Sequence, residues 1–195
     1  MGQGQGKKAV VGALIAALAW PVQAQLNPFS AIGRAVSTTL DVRTKAEVKA
    51  DTEIGAGASK RLLDDKKSEW AGVTVLVFAQ HVVIAGAVKS GDVKKRVEEV
   101  VKRDARIRSL KNELLVGDAG SLARDTALEA EINANLTAAK GISSVNMRWC
   151  ATGGNVVLMG VAQSQPEASL AVQKIRGIKG VKSVKPHLRV VPPKK

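Results

Sequence analysis

An internal repeat limits what this chain can fold into more than its composition does. Gly154-Asn155-Val156-Val157-Leu158-Met159-Gly160, a turn feeding an aliphatic run that stops at a glycine, is echoed by Val82-Val83-Ile84-Ala85-Gly86. The match extends in both directions at one constant offset with no gap. Asp51-Thr52 pairs with Asp125-Thr126, Leu62 with Leu136, Ser90 with Ser164, and Val101 with Ile175. Further on, Ser109 pairs with Ser183, and Leu114 and Val116 with Leu188 and Val190. An unbroken offset over roughly 65 residues points to a tandem duplication.

Each copy carries the same order of periodicities. In the first, Ile54, Ala58 and Leu62 share one helical face. Two β runs over 73–79 and 82–88 follow, then a helix capped by Ser90 or Asp92 with Val93, Val97, Val100 and Val101 on its inner face, then a closing strand over 107–116. In the second, Leu128, Ile132 and Leu136 line a helix, and Val145, Met147 and Trp149 alternate along a strand. Ser164-Gln165-Pro166-Glu167 has the spacing of a capping box with proline in the first turn. Ala168, Ala171, Val172 and Ile175 form the buried stripe behind it, and a closing strand runs over 181–191. The expected fold class is α+β: two tandem α-β-β-α-β units, each a three-stranded sheet with two helices on one face. The boundaries read from the sequence are a signal peptide over 1–24, a lead-in over 25–50, a first unit over 51–117, a linker over 118–120, a second unit over 121–191 and a basic tail over 192–195. Neither unit is large enough for a core that is more than marginally stabilising, so the two are expected to pack together or to lean on a partner. Val82-Val83-Ile84, apolar on both faces, needs cover on both sides.

Lys7-Lys8, the apolar stretch over 9–19 and Val22-Gln23-Ala24 occur in the order of a secretory signal, which predicts cleavage after Ala24. The apolar stretch is about half of what spans a bilayer. No cysteine stands at the cleavage point, which argues against a lipoprotein anchor. Cys150 is the lone cysteine of the chain, so no intramolecular disulfide and no thiolate metal cluster can form; its place on a strand predicts a buried, inert thiol.

Charge constrains partners. The formal net charge is +13, and the expected leader removes only two of those charges. Such a surface favours phosphate-rich partners. In the closing strand of the second unit, Val184, Pro186, Leu188 and Val190 alternate with Lys185, His187 and Arg189, so one side of that strand is cationic. Residues 174–195 hold eight lysines and arginines and no carboxylate. Lys174, Lys179, Lys182, Lys185 and Arg189 are therefore the candidate binding residues for an anionic surface.

Catalytic chemistry finds no foothold. His81 and His187 occupy non-equivalent positions of the repeat, and neither has an acidic or nucleophilic partner at a recognisable spacing. Arg176-Gly177-Ile178-Lys179-Gly180 contains a Gly-x-x-Gly of the kind that grips nucleic-acid backbone in KH modules, but here it leads into a strand and reads as a turn. No enzyme, cofactor or metal site is expected, and no nucleic-acid partner.

Two α-β-β-α-β units, each with the aliphatic run ending in glycine and with the closing pattern Gly180-Val181-Lys182-Ser183-Val184 in the second, resemble the BON-domain family. The join Asn112-Glu113-Leu114-Leu115-Val116-Gly117-Asp118 followed by Asp125-Thr126 is similar to its dual-domain envelope members, of the osmotically induced periplasmic and lipid-binding outer-membrane types. The resemblance implies a non-enzymatic protein of the periplasm, or peripheral on the outer membrane, that binds phospholipid or supports envelope integrity under stress. His81 stands where this family usually has a glycine, which predicts a different turn in the first hairpin. Glu129 and Glu131 are expected as surface charges on the first helix of the second unit, where lysines would strengthen lipid binding if that helix faced the membrane. Docking onto envelope proteins or onto a second copy is the alternative reading.

Overall fold

The computed structural model describes residues 40–66 and 71–192. The expected signal peptide, most of the lead-in and the last three residues of the tail lie outside the described residues. The fold is mixed α+β.

The first helix, α1 (Lys45–Asp64), begins inside the lead-in, because Thr44 and Glu47 close a full capping box there. The Glu47 backbone N–H donates to Thr44 Oγ1 at 3.2 Å, and the Thr44 N–H donates to Glu47 Oε2 at 2.9 Å. Asp51, Ile54, Ala58 and Leu62 form its buried stripe. Strands β1 (Val73–Phe78) and β2 (His81–Val88) make a hairpin, α2 (Gly91–Val101) follows with Ser90 as its cap, and β3 (Ser109–Asn112) and β4 (Leu115–Val116) pair parallel with β2. The expected single closing strand is thus broken at Glu113-Leu114. The Asn112 side chain explains the break: its Oδ1 accepts the Leu114 N–H, and its amide donates to the Lys94 carbonyl and to Glu98, drawing the chain toward α2.

The second unit comprises α3 (Leu122–Ala138), a 3-10 turn (Ser144–Asn146), β5 (Met147–Thr152), β6 (Asn155–Ala162), α4 (Gln165–Arg176) and β7 (Ser183–Val190). Its closing strand is unbroken, and the sheet order is β5-β6-β7. Ser164 caps α4 as expected, but Glu167 does not complete the box. It accepts instead from Gln163 N at 2.7 Å and from Ser143 N at 2.6 Å, tying the helix start to the turn before β5.

The registers of the two units agree position by position. Val73 faces Gly86 where Met147 faces Gly160, and His81 faces Ser109 where Asn155 faces Ser183. The central strand runs through its glycine, as the β run expected over 82–88 requires. Both strands run on for two residues, and the glycine sits where the neighbouring chain crosses: a β-carbon at Gly86 would lie 1.9 Å from the Gly72 carbonyl oxygen, and one at Gly160 would lie 2.1 Å from that of Asn146.

Alternation sorts each sheet into two apolar faces. Toward the helices, Val73, Val77, Val82 and Ile84 join Ile54, Ala58, Leu62, Val97 and Leu114 in one core. Met147, Trp149, Val156 and Leu158 join Ile132, Leu136, Ala171 and Ile175 in the other, with Leu188 only partly buried at its margin. The opposite faces meet each other. Leu76, Phe78, Val83 and Ala85 of the first sheet pack against Cys150, Val157, Met159 and Val161 of the second. The molecule is therefore four layers deep: helices, sheet, sheet, helices. The cover that Val83 needs on its second side comes from the other half of the same chain.

Residues 40–44 clasp this sandwich. Asn146, fully buried, donates from its amide to the Leu40 carbonyl at 2.9 Å and accepts the Val42 N–H at 3.0 Å, while Val42 packs into the inter-sheet core. Next to it Arg43 lies over the Phe78 ring, 4.3 Å from its centroid, and pairs with Asp41 and Asp51.

Candidate functional site

The sandwich decides where the closing-strand cations go. In β7, Val184 and Leu188 turn toward the helices of their own unit, so Lys185, His187 and Arg189 lie on the face that looks at the first unit. In β3, Leu110 packs with the first helical core, so Ser109 and Lys111 lie on the corresponding face. The two closing strands thereby border one seam. Glu113 bridges it: Lys185 Nζ donates to its Oε2 at 2.8 Å, and His187 Nε2 lies 3.0 Å from its Oε1. Burial raises the Glu113 carboxyl, but the Lys185 hydrogen bond and the nearby charges of Lys185 and His187 outweigh it and hold the group below the ordinary glutamate value. Glu113 and His187 are counterparts in the repeat, so equivalent positions of the two units meet each other here.

The five sequence-selected cations do not form one cluster. Lys174 is on the last turn of α4, Lys179 in the Gly177–Gly180 turn and Lys182 beside the Gly153-Gly154 turn, all three exposed. Lys185 and Arg189 belong to the seam, and Lys185 is committed to Glu113. Arg189 is half-buried, and both burial and the Arg108 charge lower its pKa, with Glu47 and Asp51 acting the other way. The sequence did not single out Arg108 and Lys111, which belong to the same seam. The signal for Lys111 was the alternation of the first unit's closing strand, which acquires meaning only when the two sheets are stacked; Arg108 precedes that strand and had no such signal.

His81 also borders the seam. Its Nδ1 lies 2.6 Å from Ser109 Oγ, and burial, reinforced by the charges of Arg189 and Arg108, lowers its pKa. The first hairpin does not have a different turn, as this histidine suggested. Ala79 and Gln80 sit at φ 50° and 65°, the left-handed geometry that Gly153 and Gly154 adopt in the second hairpin. The Asp of each Asp-Thr pair fixes that turn. Asp51 accepts from Ala79 N at 2.7 Å and Gln80 N at 2.6 Å, and Asp125 accepts from Gly153 N and Gly154 N at 2.9 and 3.3 Å.

Glu129 is not a surface charge. It is 4% exposed, and its Oε1 accepts the Ala151 N–H at 2.8 Å, satisfying a backbone donor on the outer edge of the sheet. Its place one turn after Asp125, on the stripe that continues to Ile132 and Leu136, was the signal for this. A lysine there would bury a charge and remove that acceptor, whichever way α3 faces. Cys150 sits in the inter-sheet core, where burial first and the Glu129 carboxylate second push its thiol up to about 12. The Gly-x-x-Gly segment is a turn: Gly177 caps α4 and Ile178 is buried. Among the described residues no group of His, Cys, Asp and Glu could hold a metal ion, and no helix is long and apolar enough to cross a membrane.

The BON domain profile matches residues 124–192, the second unit almost entire. The chain is 34% identical over 125 residues to the "Uncharacterized protein in gshII 5'region" of Anaplasma centrale, covering 62% of this chain and 83% of that one. It is 31% identical over 144 residues to the osmotically-inducible protein Y of Escherichia coli (strain K12), covering 71% of this chain and 72% of that one. The chain belongs to the BON-domain family. Among solved structures, the C-terminal domain of CdsD, the structural protein of the type III secretion system of Chlamydia trachomatis, is similar at 16% identity with a TM-score of 0.31, over 73% of this chain and 67% of that one. At that score the likeness carries no argument.

Proposed function

We propose that this chain is a non-enzymatic periplasmic protein built by tandem duplication of a BON domain, and that it binds anionic phospholipid surfaces in support of outer-membrane integrity under stress. One observation carries the reading: Lys174, Lys179 and Lys182 are exposed, have no ion-pair partner among the described residues, and lie in a stretch with no carboxylate. Each cation near an anionic bilayer contributes on the order of 1 kcal/mol, so three give weak, reversible attachment. Similarity to a protein named for osmotic induction supports the stress setting. The apolar second face of the first sheet, which favoured a protein-docking role, is spent inside the chain and no longer favours that reading.

Co-sedimentation with vesicles tests the proposal. The protein is expected to pellet with phosphatidylglycerol, not with phosphatidylcholine, and to release as salt shortens the screening length to about 3 Å near 1 M. Reversing Lys174, Lys179 and Lys182 to glutamate should abolish pelleting with the fold intact. Binding that persists in high salt would sink the electrostatic mechanism.

A further inference from the structure

Arg189 is the least satisfied charge of the seam. It is half-buried, it has no hydrogen-bond or ion-pair partner among the described residues, and the charge of Arg108 of the first unit acts on it ahead of those of Glu47 and Asp51. Taking a charge partly out of water without a counter-charge is costly, and a like charge beside it adds to the cost. The acids in range are occupied. Both oxygens of Asp51 accept the turn N–H groups of Ala79 and Gln80, and Oδ2 accepts a further bond from Arg43. Glu47 is bound into the cap of α1, and its other oxygen stays 3.8 Å from Arg108.

The neighbouring groups are donors. The Arg108 backbone N–H donates to the Gln80 carbonyl at 2.9 Å, which sets the residue at the end of the first hairpin beside His81. His81 Nδ1 lies 2.6 Å from Ser109 Oγ, a contact that holds the imidazole at the seam. Lys111, the next residue on this face of β3, is exposed and without a partner among the described residues. Two guanidinium forks and a lysine, drawn from both units and set beside the His81 ring, match the oxygens of a phosphate group, which arginine binds in bidentate fashion.

We infer that Arg108 and Arg189, flanked by His81 and Lys111, form a phosphate-binding site across the seam between the two units. The inference rests on the lipid-surface reading for the source of the phosphate, a phospholipid headgroup, and free phosphate has the same chemistry. It also gives the duplication a use: neither unit alone holds both arginines.

Two probes on the full chain separate the sources: inorganic phosphate, followed by thermal unfolding against chloride at equal ionic strength, and phosphatidylglycerol vesicles, followed by co-sedimentation. Phosphate at about ten times its dissociation constant should raise the wild-type midpoint by roughly 3–6 °C. Arg108→Gln and Arg189→Gln should each weaken phosphate and vesicle binding about tenfold, and Arg189→Lys should recover only part of it. Without phosphate, Arg189→Gln should unfold no earlier than wild type, because the substitution removes a charge that nothing compensates; a merely structural arginine would give the opposite result. Vesicle binding that is lost in the Lys174, Lys179 and Lys182 reversals but unchanged in the two glutamine variants overturns the seam site and leaves the lipid reading standing. Phosphate binding that needs both arginines, with no binding to vesicles, supports the site and overturns the lipid reading. Equal phosphate shifts in wild type and Arg189→Gln, or no shift in either, overturn the site.

Discussion

The two hairpin turns have the same geometry and opposite compositions. In the second unit Gly153-Gly154 enters the left-handed region at no steric cost; in the first, Ala79-Gln80 enters it with two side chains that disfavour it by about 1–2 kcal/mol each. What the turns share is an aspartate one helix away whose two oxygens take both turn N–H groups. The acceptor and the strand register therefore set the turn, and the turn residues only change its cost. The first unit adds Arg43 behind its aspartate, an ion pair without a counterpart at Asp125 among the described residues.

Substitutions at paired positions can break or sharpen this equivalence. Leu136→Ala and Leu62→Ala, at matched positions in the two helical cores, should each cost about 2–5 kcal/mol in denaturant unfolding. A loss below about half a kcal/mol at either would show that its unit is not packed like the other. Asp51→Ala should cost about 3 kcal/mol, since it orphans two turn donors and strands Arg43, and Asp125→Ala about 2 kcal/mol. Equal losses would mean that Arg43 adds nothing. Gln80→Gly should stabilise by about 1 kcal/mol, with Gly153→Ala costing about as much; a destabilising Gln80→Gly would show that the side chain makes contacts worth more than the strain.

The smallest effect concerns acid. Where the second unit buries Ile178, the first has Asp104, bonded to Arg106 and close to Arg61. The Arg106 hydrogen bond holds the Asp104 carboxyl at about 2, although burial opposes it. A carboxyl whose folded value is depressed contributes stability above its ordinary value of about 4 and loses it as pH falls through the folded one. Hydrogen exchange between pH 4 and pH 2 should therefore loosen the α2–β3 connection before the α4–β7 connection, by less than about 1 kcal/mol. Simultaneous loosening would show that this network does not set the order.

Periodicity and the repeat made most of the fold legible, because both are local signals. The inner stripes Ile54, Ala58, Leu62 and Leu128, Ile132, Leu136 are buried as their spacing predicts. Features without a counterpart in the other unit were harder. The clasp at Leu40 and Val42 occurs once, and its partner Asn146 is 106 positions from Leu40. Glu129 looked like a helix-surface charge because its acceptor role depends on an edge strand that sequence does not place beside it. The cations of the second closing strand were visible as a pattern. Their partition between an exposed group and a seam group was not, because sheet stacking is a long-range outcome.

The clasp also has a consequence for how the molecule is made. Leu40 and Val42 leave the ribosome early, and the side chain they embrace is not yet synthesised. At 5–20 residues per second the wait is on the order of ten seconds, and Phe78 and Val83, made partway through it, have no opposing layer until it ends. For that interval the nascent chain is a half-sandwich with one oily side, and a chain that terminates early never leaves that condition. Because Asn146 holds both Leu40 and Val42, the N-terminal segment can lock only onto a polypeptide that carries its second sheet.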